Sequence, residues 1–230
     1  MMSLTIHSFW IEGPLRPLNL LTIRSFKKHG HRFVLYAYDT KVTDECEVRD
    51  AREILPEREL FFYKRMQGGN PHFKYGGIAE RLKAEMLYKL GGWHVDLDVT
   101  CLKPFDCFTE EYVLRPHPTG IVANMIKAPA GCELARRYVE HTKTIDENNV
   151  IWEKSFLGLN KIVAELKLGD KVVKAELLGM DEDKYWRALL MPGNEPHKDA
   201  RAIHWCAAMN MQPHPDSFLS RLYDSYGFHK

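Results

Sequence analysis

No window of this 230-residue chain is apolar enough to cross a bilayer, and no early segment joins a basic start to the apolar run of a secretion signal. A membrane-spanning or exported protein is therefore not expected. Charge of one sign is lacking too: Lys and Arg number 32 and Asp and Glu 31, for a formal net charge of +1. Without a basic excess there is no electrostatic footprint for nucleic acid. Cysteine is sparse. The five (Cys46, Cys101, Cys107, Cys132 and Cys206) are odd in number and form no CxxC. That argues against a disulfide frame or a zinc site and fits reduced thiols in the cytoplasm. GxGxxG after the first strand, GxxxxGK[ST] and HExxH are all missing, so dinucleotide, P-loop and zinc-hydrolase readings lack support.

What remains is an ordinary globular composition, 45% hydrophobic, long enough for one α/β domain over 1–230 with a sizeable core. Leu4 to Ile11 reads as a strand, Pro17 opens a helix that Gly30 stops, and Arg32 to Tyr38 is the next strand. Val48 to Leu55 is a short unit, and Leu60 to Tyr63 a further strand. Met66 to Gly77, rich in Gly, Asn, Pro and His, reads as a loop able to close over a ligand. Later come a strand at Ile121 to Ala128, helices at Cys132 to Thr142 and at 155–168, and a polar loop at Met191 to Asp199. A short strand at Ala202 to Cys206 and a terminal helix at Asp216 to Tyr226 finish the chain. Phe218, Leu219, Leu222 and Tyr226 fall at helical spacing and read as a packing face. Alternating strands and helices predict a mostly parallel sheet sandwiched by helices.

The chemistry concentrates at Trp93-His94-Val95-Asp96-Leu97-Asp98-Val99-Thr100. As one strand, it would send Trp93, Val95, Leu97 and Val99 to one face and His94, Asp96 and Asp98 to the other. Two carboxylates held this close repel unless a cation lies between them, and hard oxygen donors suit a divalent metal. Ile78 to Leu90 precedes them as a helix that Gly91-Gly92 terminates. On that helix Arg81, Glu85, Tyr88 and Lys89 are expected to face water, while Lys83 projects within the apolar arc with Glu80 at its margin. Either Glu80 and Lys83 form an ion pair that satisfies itself, or both stand beside the acidic pair and hold a polar ligand.

The run Leu87-Tyr88-Lys89-Leu90-Gly91-Gly92-Trp93-His94-Val95-Asp96-Leu97-Asp98-Val99, followed by Leu102-Lys103-Pro104-Phe105-Asp106, resembles the core of the DxD-containing sugar-nucleotide glycosyltransferases of GT-A fold. Their number includes the initiating mannosyltransferase, α-1,4-galactosyltransferases, bacterial capsule enzymes and clostridial glucosylating toxins. The opening Ile6-His7-Ser8-Phe9-Trp10-Ile11-Glu12-Gly13 is similar to that group's first strand. The resemblance covers about the first half of the chain. It implies a metal-dependent enzyme moving a sugar from a nucleotide-sugar donor, UDP-sugar favoured, to a glycan, lipid-linked or other acceptor, as in polysaccharide biosynthesis. Asp98 resembles the direct ligand of Mn²⁺ or Mg²⁺, and Asp96 the residue that meets the metal through water or holds the ribose. Trp10 resembles the Trp packed on the base. Ala79-Glu80-x-x-Lys83 stands where the family shows Ser-Asp-x-x-Arg, keeping the charges but not Arg's bidentate reach. His204 resembles a C-terminal His brought to the metal or diphosphate, and Asn124 is placed to face the donor sugar. The resemblance further implies a nucleotide-binding half at about 1–106, a donor/acceptor half at about 107–230, retention of anomeric configuration, and a cytoplasmic site of action, at a membrane surface if the acceptor is lipid-linked. No nucleophile or base is indicated.

Two other classes stay open. Val95-Asp96-Leu97-Asp98-Val99-Thr100 is also similar to the Asp-x-Asp-x-Thr opening of haloacid-dehalogenase-type phosphatases, with Asp96 as nucleophile and Asp98 as general acid. Lys174 and Gly179-Met180-Asp181-Glu182-Asp183 would supply the later motifs. That opening motif normally lies near a domain's start, and here a full βαβ unit precedes it. The third class is a nucleotide-sugar-binding protein without turnover, with Glu80 and Lys83 as its altered positions.

Overall fold

The computed structural model describes residues 3–63, 74–148, 153–179, 182–206 and 212–228. Strand β1 (Thr5–Trp10) leads to α1 (Pro17–Lys28), β2 (Arg32–Ala37) and β3 (Glu47–Asp50); after α2 (Gly76–Leu90) come β4 (Gly92–Val95) and β5 (Val99–Cys101). Then follow β6 (Val113–His117), β7 (Gly120–Ala128), α3 (Glu133–Thr142), α4 (Glu153–Glu165), α5 (Glu182–Ala188), β8 (Ala202–His204) and α6 (Phe218–Ser225).

Among the described residues six strands form one sheet in the order β3-β2-β1-β4-β7-β6, and β5 pairs with β8 in a separate two-stranded ladder. The pairs β3/β2, β2/β1 and β1/β4 are parallel, whereas β4/β7 and β7/β6 are antiparallel. Helices cover both faces. In β2, Phe33 and Leu35 pack towards α1 through Ile23 and Phe26, while Val34 and Tyr36 pack towards Ile78, Leu82 and Met86 of α2. That double cover is why β2 reads as a continuous apolar run instead of alternating. On the α2 side, Leu134, Tyr138 and Leu159 of α3 and α4 extend the layer over β7. Leu219 with Phe218, Leu222 and Tyr226 closes a third cluster around Trp186 and Trp205, as the spacing of that packing face predicts.

Several local expectations need correcting. Residues 93–99 are not one strand: β4 ends at Val95, Asp96 to Asp98 form a turn, and β5 starts in the other ladder. The alternation survives all the same, because Trp93, Val95, Leu97 and Val99 share one core cluster while His94 stacks on Phe9 on the opposite side. Leu60 to Tyr63 joins no ladder among the described residues. Its aromatic residues pack ring against ring instead, Phe61 on Tyr63 and Phe62 on Tyr75. Arg81 and Glu85 are buried, paired at 2.9 Å, because α3 lies on that face and Val139 offers its carbonyl to Arg81. Two elements went unforeseen, β6 and α5. Residues 66–73 of the expected loop, and Met180 and Asp181, lie outside the described residues; Gly76 and Gly77 already belong to α2.

Candidate functional site

The acidic turn is delivered by the helix stop before it. At Gly91 the backbone turns left-handed, with φ 62°, and its N–H donates to Leu87 O at 3.0 Å. A Cβ there would lie 2.3 Å from the backbone nitrogen of Ala130. Only glycine lets α2 end so close to the chain that follows β7. Five residues later the turn is pinned from three directions. The Asp96 N–H donates to Asn124 O of β7 at 2.8 Å, and the Trp205 N–H donates to Asp98 O at 3.0 Å. Between them, Asn19 of α1 donates through Nδ2 to Leu97 O at 2.8 Å.

Asp96 sits at the end of a buried polar chain. Lys83 Nζ, only 8% exposed at its side chain, lies 2.8 Å from Glu80 Oε1 and 3.0 Å from Asp96 Oδ2. The second oxygen of Glu80 accepts from the Tyr138 hydroxyl, and Asp96 Oδ1 lies 3.1 Å from His94 Nε2. Burial alone would raise the Asp96 carboxyl. The Lys83 ammonium and the His94 hydrogen bond outweigh it and hold that carboxyl well below the usual carboxylate range. Burial would lower Lys83, yet the two facing carboxylates raise it above an ordinary lysine. Burial, the largest influence, depresses His94 against the raising effect of Asp96. Both sequence readings of Glu80 and Lys83 thus meet in one arrangement: the pair satisfies itself and also reaches the acidic turn.

On the other side of the turn, Asp98 Oδ1 lies 3.1 Å from His204 Nε2, at the end of β8. The other ring nitrogen, Nδ1, is 2.9 Å from the Asn124 amide nitrogen, and Asn124 Oδ1 accepts from buried Arg115 at 3.2 Å. Asp96, Asp98 and His204 each bring a ligand atom to within 4.8 Å of the others, a grouping able to hold a metal ion. Two carboxylates and an imidazole fit Mn²⁺ or Mg²⁺ better than a thiolate-preferring metal.

Beside this group opens a cleft of about 250 Å³, lined by Ser8, Trp10, Asn19, Lys83, Asp96 and Asp98 among others. The Trp10 indole N–H donates to Gly13 O at 2.7 Å, which fixes the ring at the cleft wall. At the mouth, the Glu12 carboxylate accepts from Tyr75 and Lys74. Of the residues singled out in the sequence, Trp10, Lys83, Asp96 and Asp98 line the cleft. His204 joins the acidic pair from behind, and Glu80 lies one step away, turned to Lys83 and Tyr138. Asn124 faces His204 and Arg115. Asn19, Tyr138 and Arg115 were not foreseen. Asn19 carries a legible signal, an Asn in the first turn of a proline-opened helix, where its Oδ1 accepts from Arg16 N at 2.9 Å.

No family model matches the chain, and no curated protein matches it either. Among solved structures it is similar to the PaToxG glycosyltransferase, with a TM-score of 0.54 and 15% sequence identity. The match covers 72% of this chain and 69% of that one. The likeness defines the class of fold: α/β, a single-domain GT-A fold with a mostly parallel sheet between helices. Among the described residues no helix is long and apolar enough to cross a membrane.

Proposed function

We propose that the chain is a metal-dependent glycosyltransferase that moves a sugar from a nucleotide-sugar donor, UDP-sugar favoured, to a glycan or lipid-linked acceptor. The observation that carries this reading is the Asp96-Leu97-Asp98 turn at the wall of a cleft that Trp10 also lines, on a fold shared with a glycosyltransferase. The base packs on Trp10, and residues 1–106 form the nucleotide-binding half, since the described residues lining the cleft lie between Ser8 and Asp98. Residues 107–230 form the donor/acceptor half.

A divalent cation, Mn²⁺ or Mg²⁺, supplies positive charge that stabilises the diphosphate as it departs. Asp98 holds that cation. Asp96, with donors already on both oxygens, has remaining lone pairs for a ribose hydroxyl or a metal-bound water. Lys83 keeps Asp96 ionised and adds positive charge at the cleft wall. Transfer proceeds with retention, in the cytoplasm, and at the membrane surface where the acceptor is lipid-linked.

The test is donor turnover without acceptor. UDP-glucose and GDP-mannose, each with Mn²⁺, should be tried for slow release of free sugar and nucleoside diphosphate. Release from the UDP-sugar supports the proposal, and release from the GDP-sugar alone overturns the base preference. Release of inorganic phosphate from simple phosphoesters with no donor turnover would favour the phosphatase instead. Binding of UDP and Mn²⁺ with neither product would favour a binding protein.

A further inference from the structure

Donor and acceptor chemistry around His204 fixes where its ring hydrogen lies. Arg115 is 1% exposed, and a guanidinium has only donors. Its Nε donates to the Leu178 carbonyl at 2.6 Å, and Nη1 lies 3.2 Å from Asn124 Oδ1. The oxygen end of that amide must face Arg115, because the opposite flip would set two donors against each other. Asn124 Nδ2 is then the atom 2.9 Å from His204 Nδ1, and an amide nitrogen donates. Nδ1 is therefore the acceptor. The hydrogen sits on Nε2, which points at Asp98 Oδ1 3.1 Å away. The Cys206 sulfur lies 3.2 Å from the same Nδ1.

We infer that His204 serves Asp98 as a hydrogen-bond donor and is not a ligand of the cation, and that Asn124 and Arg115 are positioning residues that hold the ring in this tautomer. Imidazole ligates through a bare nitrogen, and the nitrogen nearest Asp98 carries hydrogen. His204 then orients the carboxylate that holds the metal, as outer hydrogen-bonding partners commonly do. Asn124 ties both sides of the site together, since its backbone oxygen also accepts the Asp96 N–H. Among the described residues the metal is left with oxygen donors, so Mg²⁺ should serve about as well as Mn²⁺. The consequence for the metal rests on the function proposed above; the tautomer does not.

Three measurements on the full chain test this. In metal-free protein with isotope-labelled histidine, long-range proton–nitrogen correlation should show His204 with a protonated Nε2 and a bare Nδ1, its peaks identified by their loss in His204→Gln. The reverse pattern overturns the inference. With Mn²⁺ and UDP as probes, pulsed EPR of the unaltered protein should show no directly bonded imidazole nitrogen, and strong nitrogen coupling overturns the inference. His204→Gln, which keeps a donor, should hold Mn²⁺ affinity within about threefold while His204→Ala loses roughly tenfold. Equal loss in both would mark the ring as a ligand. Protein showing the expected tautomer but no Mn²⁺ binding would refute the metal-dependent function and still support the hydrogen-bond assignment.

Discussion

Lys83 and Asp96 meet at 3.0 Å where α2 passes behind the acidic turn. The pair joins the last rigid helix before the turn to the first of its two carboxylates. Lys83 also neutralises Glu80, so removing the ammonium leaves two carboxylates without their cation in a largely dehydrated place. Breaking a buried pair from one side commonly costs about 3–5 kcal/mol. Asp96 retains some exposure to the cleft, so Lys83→Met should cost about 3 kcal/mol, at the low end of that range. Adding Glu80→Gln should recover part of the loss, and urea unfolding of the two variants would show it. A double variant no more stable than Lys83→Met would mean that Glu80 is not coupled to the lysine.

The depressed Asp96 carboxyl makes stability depend on acid. In the unfolded chain an aspartate titrates near about 3.9, and in the fold Asp96 holds out lower. Below that value the unfolded chain binds a proton the folded chain refuses, so stability falls as pH falls. The contribution is complete above about pH 5 and is lost as pH drops through the folded value. For one proton the limiting slope is about 1.4 kcal/mol per pH unit. Urea midpoints measured from neutral pH into this acid range should decline less steeply in Asp96→Asn than in the parent chain. Equal slopes would detach Asp96 from the acid response.

Much of this site was readable beforehand because it rests on local pattern. Apolar spacing placed α2, Gly91-Gly92 placed its end, and alternation placed Trp93, Val95, Leu97 and Val99 in one core. The break at Asp96 was not readable, since it depends on β5 finding β8, a partner far along the chain. Arg81 and Glu85 look like a solvated face until α3 arrives to cover them, and helical periodicity carries no sign of a second layer. Pro116 disguised β6, a strand that tolerates proline because it lies at the sheet edge. Tyr138 and Arg115 matter through polar contacts across the fold, which leave no periodic trace.

Asp98→Asn should separate folding from metal dependence. The substitution keeps the side chain's shape and removes the charge proposed to hold the cation. Donor hydrolysis with Mn²⁺ should fall at least about 100-fold, in line with the several kcal/mol a metal contributes to a departing charge. Thermal midpoint without metal should change little by comparison. Chelation of the parent chain should give the same loss and added Mn²⁺ should restore it. Chelator-resistant turnover would remove the metal from the reaction.

The two glycines where β4 begins, Gly91 just before it and Gly92 its first residue, make a useful comparison. Both have positive φ, 62° at Gly91 and 71° at Gly92. A side chain at either one pays a backbone penalty of about 1–3 kcal/mol for the positive φ. Gly92 has open space where a Cβ would go, whereas at Gly91 the Cβ meets Ala130 backbone at 2.3 Å. Backbone cannot swing aside as a side chain can, so Gly91→Ala must push α2 away from the segment after β7 or shift the start of β4. Gly92→Ala should therefore lose only the conformational penalty and keep donor turnover. Gly91→Ala should lose stability well beyond that and displace the acidic turn, lowering kcat as well as the thermal midpoint. Equal midpoints for the two variants would show that the close approach at Gly91 does not set the position of Asp96 and Asp98.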